Sequence, residues 1–291
     1  MKKIAIFVEG ETELEFVSQF LLELAGQNNI TINQYKYKGG GRNIPQRIAY
    51  FTGNIPASDE KFQANIYVSS KDESVNTDIK EQAETLYQSG FERVIGLRDL
   101  RGQKPDGQPF RLTDLPRIEL ANTFVEAQCQ PLQAKIIIAV MEIETWFLAE
   151  TTHYAHIGRI LTENYVKGKV GELGFNPYDD NIDALTKIAE PTEALKAVYQ
   201  LATRDYSKKK KTRLRTINRL DYANLYLHTR HRLTKLDDFI TELDDFSFCI
   251  NKIMGRLSFR NRRCAWVNSA NKPPHAPPPV AAYQASASFD K

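Results

Sequence analysis

Long hydrophobic runs, paired cysteines and clustered histidines are what this 291-residue sequence lacks. No apolar run approaches the roughly 18 residues a membrane helix requires, which argues against membrane spanning. The opening MKKIAIFVEG has the two lysines and the apolar patch of a signal peptide, but the patch is shorter than the usual ~7–15 residues and ends in acid. The expected location is therefore the cytoplasm. Three cysteines, Cys129, Cys249 and Cys264, are odd in number and show no ligand spacing, against both a disulfide framework and a zinc site. The five histidines are scattered: His228 and His231 fall in a basic helical stretch and His275 near the C-terminus. No Ser-His-Asp ordering stands out, and no Gly-Lys-Ser/Thr follows the glycine-rich segment as a P-loop would demand.

What is present is a soluble composition, 42% apolar and 26% charged, with the charge unevenly split. Residues 1–150 carry 16 Lys and Arg against 21 Asp and Glu, a net of −5; the remainder carries 23 against 15, a net of +8. An acidic half able to hold cations is thus joined to a basic half able to hold a polyanion, unless the surface is merely uneven.

The first half alternates in period. Strand signals occur at 3–8, 31–37, 64–69, 93–98 and 134–141, several of them continuous apolar runs of the kind covered on both faces. Helical patterns lie between them at 12–24, 43–52, 75–89 and 113–128. This alternation predicts an α/β layer with a mostly parallel sheet sandwiched by helices. Thr12 with Glu15 reads as a capping box for the first helix, whose Leu14, Val17, Leu21 and Leu24 share a face. After residue 150 the strand signals stop, and 182–203, 212–230 and 234–254 read as helices. The expected organisation is an α/β domain at 1–150, a smaller basic helical domain at 151–265, and a Pro-, Ala- and Ser-rich tail at 266–291 with little to bury.

In open α/β sheets ligands bind beyond the carboxyl ends of the strands, so the acids there are the candidates. The first strand runs into Glu9, with Glu13 four residues on; the fourth runs into Asp99; the fifth runs into Glu142 and Glu144. Carboxylates gathered this way repel one another unless cations or raised pKa values relieve them. Hard oxygens without His or Cys favour Mg²⁺ or Mn²⁺ over zinc. The readings of Glu9 as a polar turn residue, Asp99 as a helix cap, and Glu142 and Glu144 as first-turn acids stay open at this point. So does the choice between a phosphate nest and a plain turn at Gly39, Gly40, Gly41 and Arg42.

The stretch FVEGETE at a strand-to-helix turn, an aspartate after a later apolar strand, and MEIETWFLAE in third place resemble the TOPRIM domain of topoisomerases, DnaG-type primases and overcoming-lysogenization-defect nucleases. The last branch, with its small relatives encoded beside ABC-type ATPases in anti-phage systems, is the most similar. The likeness covers roughly residues 1–150, and YSKKKK with the helices after it is similar to the C-terminal part of those relatives. It implies that the motif glutamate is Glu9, that the acid four positions later is Glu13, that the Asp-x-Asp motif falls on Asp99 to Arg101, and that the late acidic pair falls on Glu142 and Glu144. Arg101 departs from the pattern: it cannot ligate a cation, and it could instead hold the scissile phosphate. The implied activity is Mg²⁺- or Mn²⁺-dependent cleavage of nucleic acid, in antiviral defence, with an ATPase partner.

The second constellation is YSKKKKTRLRTINR. Lys208, Lys209, Lys210, Lys211, Arg213, Arg215 and Arg219 place seven positive charges in the thirteen residues Ser207–Arg219, with no acid among them. Such a stripe neutralises phosphates without regard to sequence, although four lysines can also be a solvated loop. Tyr206 and Tyr222 stack on bases or pack in the core. Two rival functions remain alongside the nuclease: a catalytically degenerate TOPRIM adaptor, favoured by Arg101, and a phosphotransfer enzyme for a small substrate. DNA or RNA as substrate and homo-oligomerisation are both left open.

Overall fold

The structure, a computed structural model, describes residues 1–39, 48–69, 74–100, 108 and 110–244. Gly40, Gly41, Arg42, Arg101, Cys249, Cys264 and His275, like everything else from residue 245 on, lie outside the described residues. Six strands form one sheet: β1 (Lys2–Val8), β2 (Ile30–Lys38), β3 (Ile48–Ile55), β4 (Phe62–Val68), β5 (Arg93–Asp99) and β6 (Gln133–Ala139). Their spatial order is β3-β2-β4-β1-β5-β6, and every pair is parallel except β2 with β3. Eleven α-helices occur among the described residues: α1 (Glu11–Ala25), α2 (Ser74–Gln88), α3 (Leu115–Gln128), α4 (Glu144–Ala149), α5 (Tyr154–Ile157), α6 (Glu163–Lys167), α7 (Val170–Leu173), α8 (Pro191–Gln200), α9 (Lys210–Ile217), α10 (Tyr222–Leu227) and α11 (Thr234–Asp244). None of them is long and apolar enough to cross a membrane.

The apolar run Ile4–Val8 is buried throughout because β1 lies in the middle of the sheet with helices on both faces. Ala5 and Phe7 join Val94 and Ile136 in a core closed by Val75, Ile79, Ala83 and Leu86 of α2. Helix α2 comes so close that a Cβ on Gly96 would stand 2.7 Å from Ile79 Cδ1, so glycine at mid-strand is a packing requirement. On α1, Phe16 meets Trp146, Phe147 and Tyr222 at ring-centroid distances of 5.8, 5.5 and 5.9 Å, and Phe20 meets Phe239 at 6.2 Å. Each ring buried here contributes roughly 1.5–3 kcal/mol. This aromatic seam ties α4, α10 and α11 to α1, and Met1–Ile250 forms one compact unit. The sequence boundary at residue 150 therefore does not mark a break in packing.

Four local expectations are corrected. The helical pattern at 43–52 is instead strand β3 from Ile48, antiparallel to β2, with Tyr35 packed edge-on to Phe51 and Lys38 over the Tyr50 ring. Tyr50, Phe51 and Thr52 are strand formers, and pairing with β2 overrides a short helical spacing. Helix α1 begins at Glu11 with Gly10 as its N-cap, so Thr12 is already inside the helix and caps nothing; Glu15 serves a different partner. The helices expected at 182–203 and 212–230 are each shorter. Pro191 opens α8 afresh, since proline suits a first helical turn and not an interior. Asp221 separates α9 from α10, its side chain accepting from Asn224 N as a new cap.

Candidate functional site

The carboxyl ends of β1, β5 and β6 lie side by side, and each hands an acid to the same rim. Glu9 follows β1, and its Oε2 accepts the backbone N–H of Asp99 at 2.9 Å. Asp99 ends β5, and its Oδ1 accepts the N–H of Ile143 at 3.2 Å, beyond the end of β6. Two carboxylates thus stitch three strand ends together, which is why neither acts as an ordinary solvated turn residue. The turn after β6 holds Met141 at φ 65, a left-handed conformation that is uncommon for a side chain of this size. From it, Glu142 and Glu144 emerge fully buried.

Glu13 sits in the first turn of α1 and is 4% exposed. Its carboxyl curls back over the N-cap: a Cβ on Gly10 would stand 3.0 Å from Glu13 Oε2, so any larger residue there presses on that carboxyl. Glu142 Oε2 accepts both N–H and hydroxyl of Thr192 at the start of α8, at 3.1 and 2.7 Å, where the helix dipole favours negative charge. Glu144 Oε1 accepts the Tyr206 hydroxyl at 2.8 Å. Its Oε2 has no hydrogen-bond partner among the described residues, although the side chain is wholly buried.

A cation already stands in this cluster. Lys208 Nζ donates to Glu142 Oε1 at 2.8 Å and lies 3.7 Å from Glu144 Oε2, while 44% of its side chain remains open to solvent. One ammonium does not neutralise the group. Burial, then the charges of Glu13, Glu9 and Glu144, push Asp99 well above the usual carboxylate range against the pull of Lys208. Burial likewise raises Glu13, opposed by backbone N–H groups and Lys208. Glu144 is pushed up to about 7, chiefly by burial, with Glu142 and Glu13 adding to the rise and Lys208 and the Tyr206 hydrogen bond opposing it. For Lys208 itself, burial favours the neutral amine, but Glu144, Glu142 and Asp99 prevail and hold it protonated.

The donor chemistry fits a hard divalent cation: carboxylate oxygens only, one of them buried without a donor, at a rim whose acids repel one another. The spacing is another matter. Among the described residues no group of three or more His, Cys, Asp or Glu side chains forms a ready-made cage for a metal ion. Any such ion would have to draw the acids inward and displace Lys208 from its pair.

The basic stripe is divided by the fold. Lys209, Lys210 and Lys211 are exposed at the start of α9. Lys208 belongs instead to the acids. Arg213, read from sequence as a phosphate contact, is 6% exposed and turned into α1, where its guanidinium meets Glu15 and Glu11. Arg215 Nη2 donates to the Asp205 carbonyl and Arg219 Nη1 to the His156 carbonyl at 3.1 Å. Tyr206 and Tyr222 are both buried, Tyr206 on Glu144 and Tyr222 on Phe16. Arg42 and Arg101 fall outside the described residues. Sequence reasoning missed Thr192, whose only signal was its place behind a helix-opening proline, and it missed Lys208's second face.

Compared with known proteins, the chain matches no family model, no curated protein and no solved structure.

Proposed function

We propose that the chain is a TOPRIM-type nuclease that hydrolyses phosphodiester bonds of nucleic acid with Mg²⁺ or Mn²⁺. The observation that carries this reading is the meeting of Glu9, Glu13, Asp99 and Glu144 at one sheet rim, close enough that Glu13, Glu9 and Glu144 all raise the proton affinity of Asp99 and Glu13 raises that of Glu144. Glu9, Glu13, Asp99, Glu142 and Glu144 would hold the ion, which supplies Lewis acidity and an activated water.

The protein's own groups prepare the place. Thr192 fixes Glu142 by donating both its N–H and its hydroxyl to Oε2, and Tyr206 fixes Glu144 by donating its hydroxyl to Oε1. Lys208 brings a half-exposed ammonium to the mouth of the rim, where the oxygens of an arriving phosphate group would compete with Glu142 for it. Lys209, Lys210 and Lys211 stand next to it and attract the polyanion without reading its sequence. Arg101, two residues beyond Asp99, is assigned to the scissile phosphate rather than to the ion. The chain contains no P-loop of its own, so an ATPase partner and a role in antiviral defence in the cytoplasm belong to this proposal. The test is cleavage of plasmid DNA and of tRNA with Mg²⁺ or Mn²⁺, with and without an ATPase partner: activity lost in a Glu9→Ala, Asp99→Ala double variant supports the reading, and activity unchanged in it sinks it.

One observation favours a second reading. Lys208 occupies the acids and no ready-made cage exists among the described residues, as in a degenerate domain whose lysine has replaced the ion. Such an adaptor would bind nucleic acid through α9 yet show no Mn²⁺ binding at the rim.

A further inference from the structure

Arg213 is the most buried member of the basic stripe, its side chain 7% exposed. Its Nε and Nη2 make a forked pair with Glu15, at 2.6 and 2.9 Å, and Nη2 also reaches Glu11 Oε2 at 3.1 Å. The remaining nitrogen, Nη1, donates to the backbone carbonyl of Lys208 at 2.9 Å. Glu11 and Glu15 flank Glu13 on the first turns of α1, the helix that carries one of the rim acids. On the other side of Lys208, Tyr206 is anchored on Glu144, and Thr212 Oγ1 donates to the Ser207 carbonyl at 2.6 Å. The short segment bearing Lys208 is therefore fastened at both ends, to a rim acid before it and to α1 after it.

We propose that Arg213 is the positioning residue of the acidic rim: locked on α1, it holds Lys208 by its backbone carbonyl and so fixes the lysine ammonium between Glu142 and Glu144. There the ammonium sets how much negative charge remains for a divalent ion; Arg213's own charge also reaches Glu13, an influence that a lysine in its place would keep. A forked guanidinium is needed because one group must satisfy two carboxylates and a carbonyl at once, which an ammonium on a flexible stem does not reproduce. This inference rests on the proposed metal-dependent function.

The experiment measures Mn²⁺ affinity of the full chain by the loss of the free-ion EPR signal, for wild type, Arg213→Lys, Lys208→Ala and the double variant. Arg213→Lys keeps the positive charge facing Glu15 and Glu11, so a change in affinity reports the lost hold on Lys208 rather than lost charge. A released Lys208 is displaced more easily, so Arg213→Lys is expected to bind Mn²⁺ roughly three- to tenfold more tightly. Lys208→Ala is expected to tighten binding by at least as much, and the double variant no further than Lys208→Ala alone. Equal affinity of Arg213→Lys and wild type, or effects that add in the double variant, overturns the inference and leaves the proposed function standing. Absence of Mn²⁺ binding in all four proteins removes the proposed function, and this inference with it. Thermal unfolding of each variant accompanies the titrations; should Arg213→Lys not fold, Glu15→Gln, which weakens the same fork from the α1 side, takes its place under the same criteria.

Discussion

Replacing Glu144 with glutamine tests the electrostatics of the rim without adding or removing volume. The side chain is fully buried, and its carboxyl is pushed up to about 7 from an ordinary 4.5. The folded state therefore binds a proton more tightly than the unfolded chain does. A carboxylate shifted this way contributes stability below its unfolded pKa, and that contribution disappears as pH rises through about 7. Over the whole interval the change amounts to about 3 kcal/mol at 1.36 kcal/mol per unit. Glutamine keeps an acceptor for the Tyr206 hydroxyl but never ionises. In EDTA, urea unfolding of Glu144→Gln should match wild type near pH 4.5 and exceed it by about 2–3 kcal/mol at pH 8, a rise in Tm on the order of 4–12 °C for a unit of this size. The same variant should lose Mn²⁺ binding, stability and function being opposed at a charged site. A Glu144→Gln protein that is less stable than wild type at pH 8, or whose difference does not vary with pH, refutes the assignment of Glu144 as a buried, repelled carboxylate.

Other perturbations separate the parts of the rim. Gly10→Ala places a methyl 3.0 Å from Glu13 Oε2, so it should displace that carboxyl and weaken Mn²⁺ binding measured by EPR while shifting Tm by only a few degrees. Tyr206→Phe removes the donor to Glu144 Oε1 and should cost about 1–3 kcal/mol in urea unfolding at pH 8, and less at pH 5, where the carboxyl can be protonated. Replacing Lys209, Lys210 and Lys211 together with alanine should weaken DNA and RNA binding alike and lower the slope of log affinity against log salt by roughly 2–3 in fluorescence anisotropy; Mn²⁺ affinity should be unchanged.

Much of the sheet is legible in the sequence because the relevant signals are local. Several of the runs that became β1, β2, β4, β5 and β6 are near-continuously apolar, and α1 and α2 repeat at helical spacing. Strand β3 escaped because an edge strand is specified by its partner: Tyr50 and Phe51 acquire their pairing from β2. The Thr12–Glu15 capping pattern misled for a similar reason, since Glu15 is drawn to Arg213, 198 residues away. At the rim, strand ends announced their own acids, and Glu9, Asp99, Glu142 and Glu144 follow from that rule. What the sequence hides is the partner of each. Lys208 meets Glu142 across 66 residues and Tyr206 meets Glu144 across 62. A run of four lysines gives no hint that its first member turns inward while the next three face water.

The central claim is that the acids of three strand ends share one divalent ion, and crystals soaked in Mn²⁺ test it most directly through anomalous scattering. The account predicts a peak within direct coordination distance, about 2.1–2.2 Å, of oxygens from Asp99 and at least one of Glu9, Glu13 and Glu144, with the Lys208 ammonium withdrawn from Glu142. Crystals that show no peak at the rim, with Lys208 still seated between Glu142 and Glu144, would contradict it.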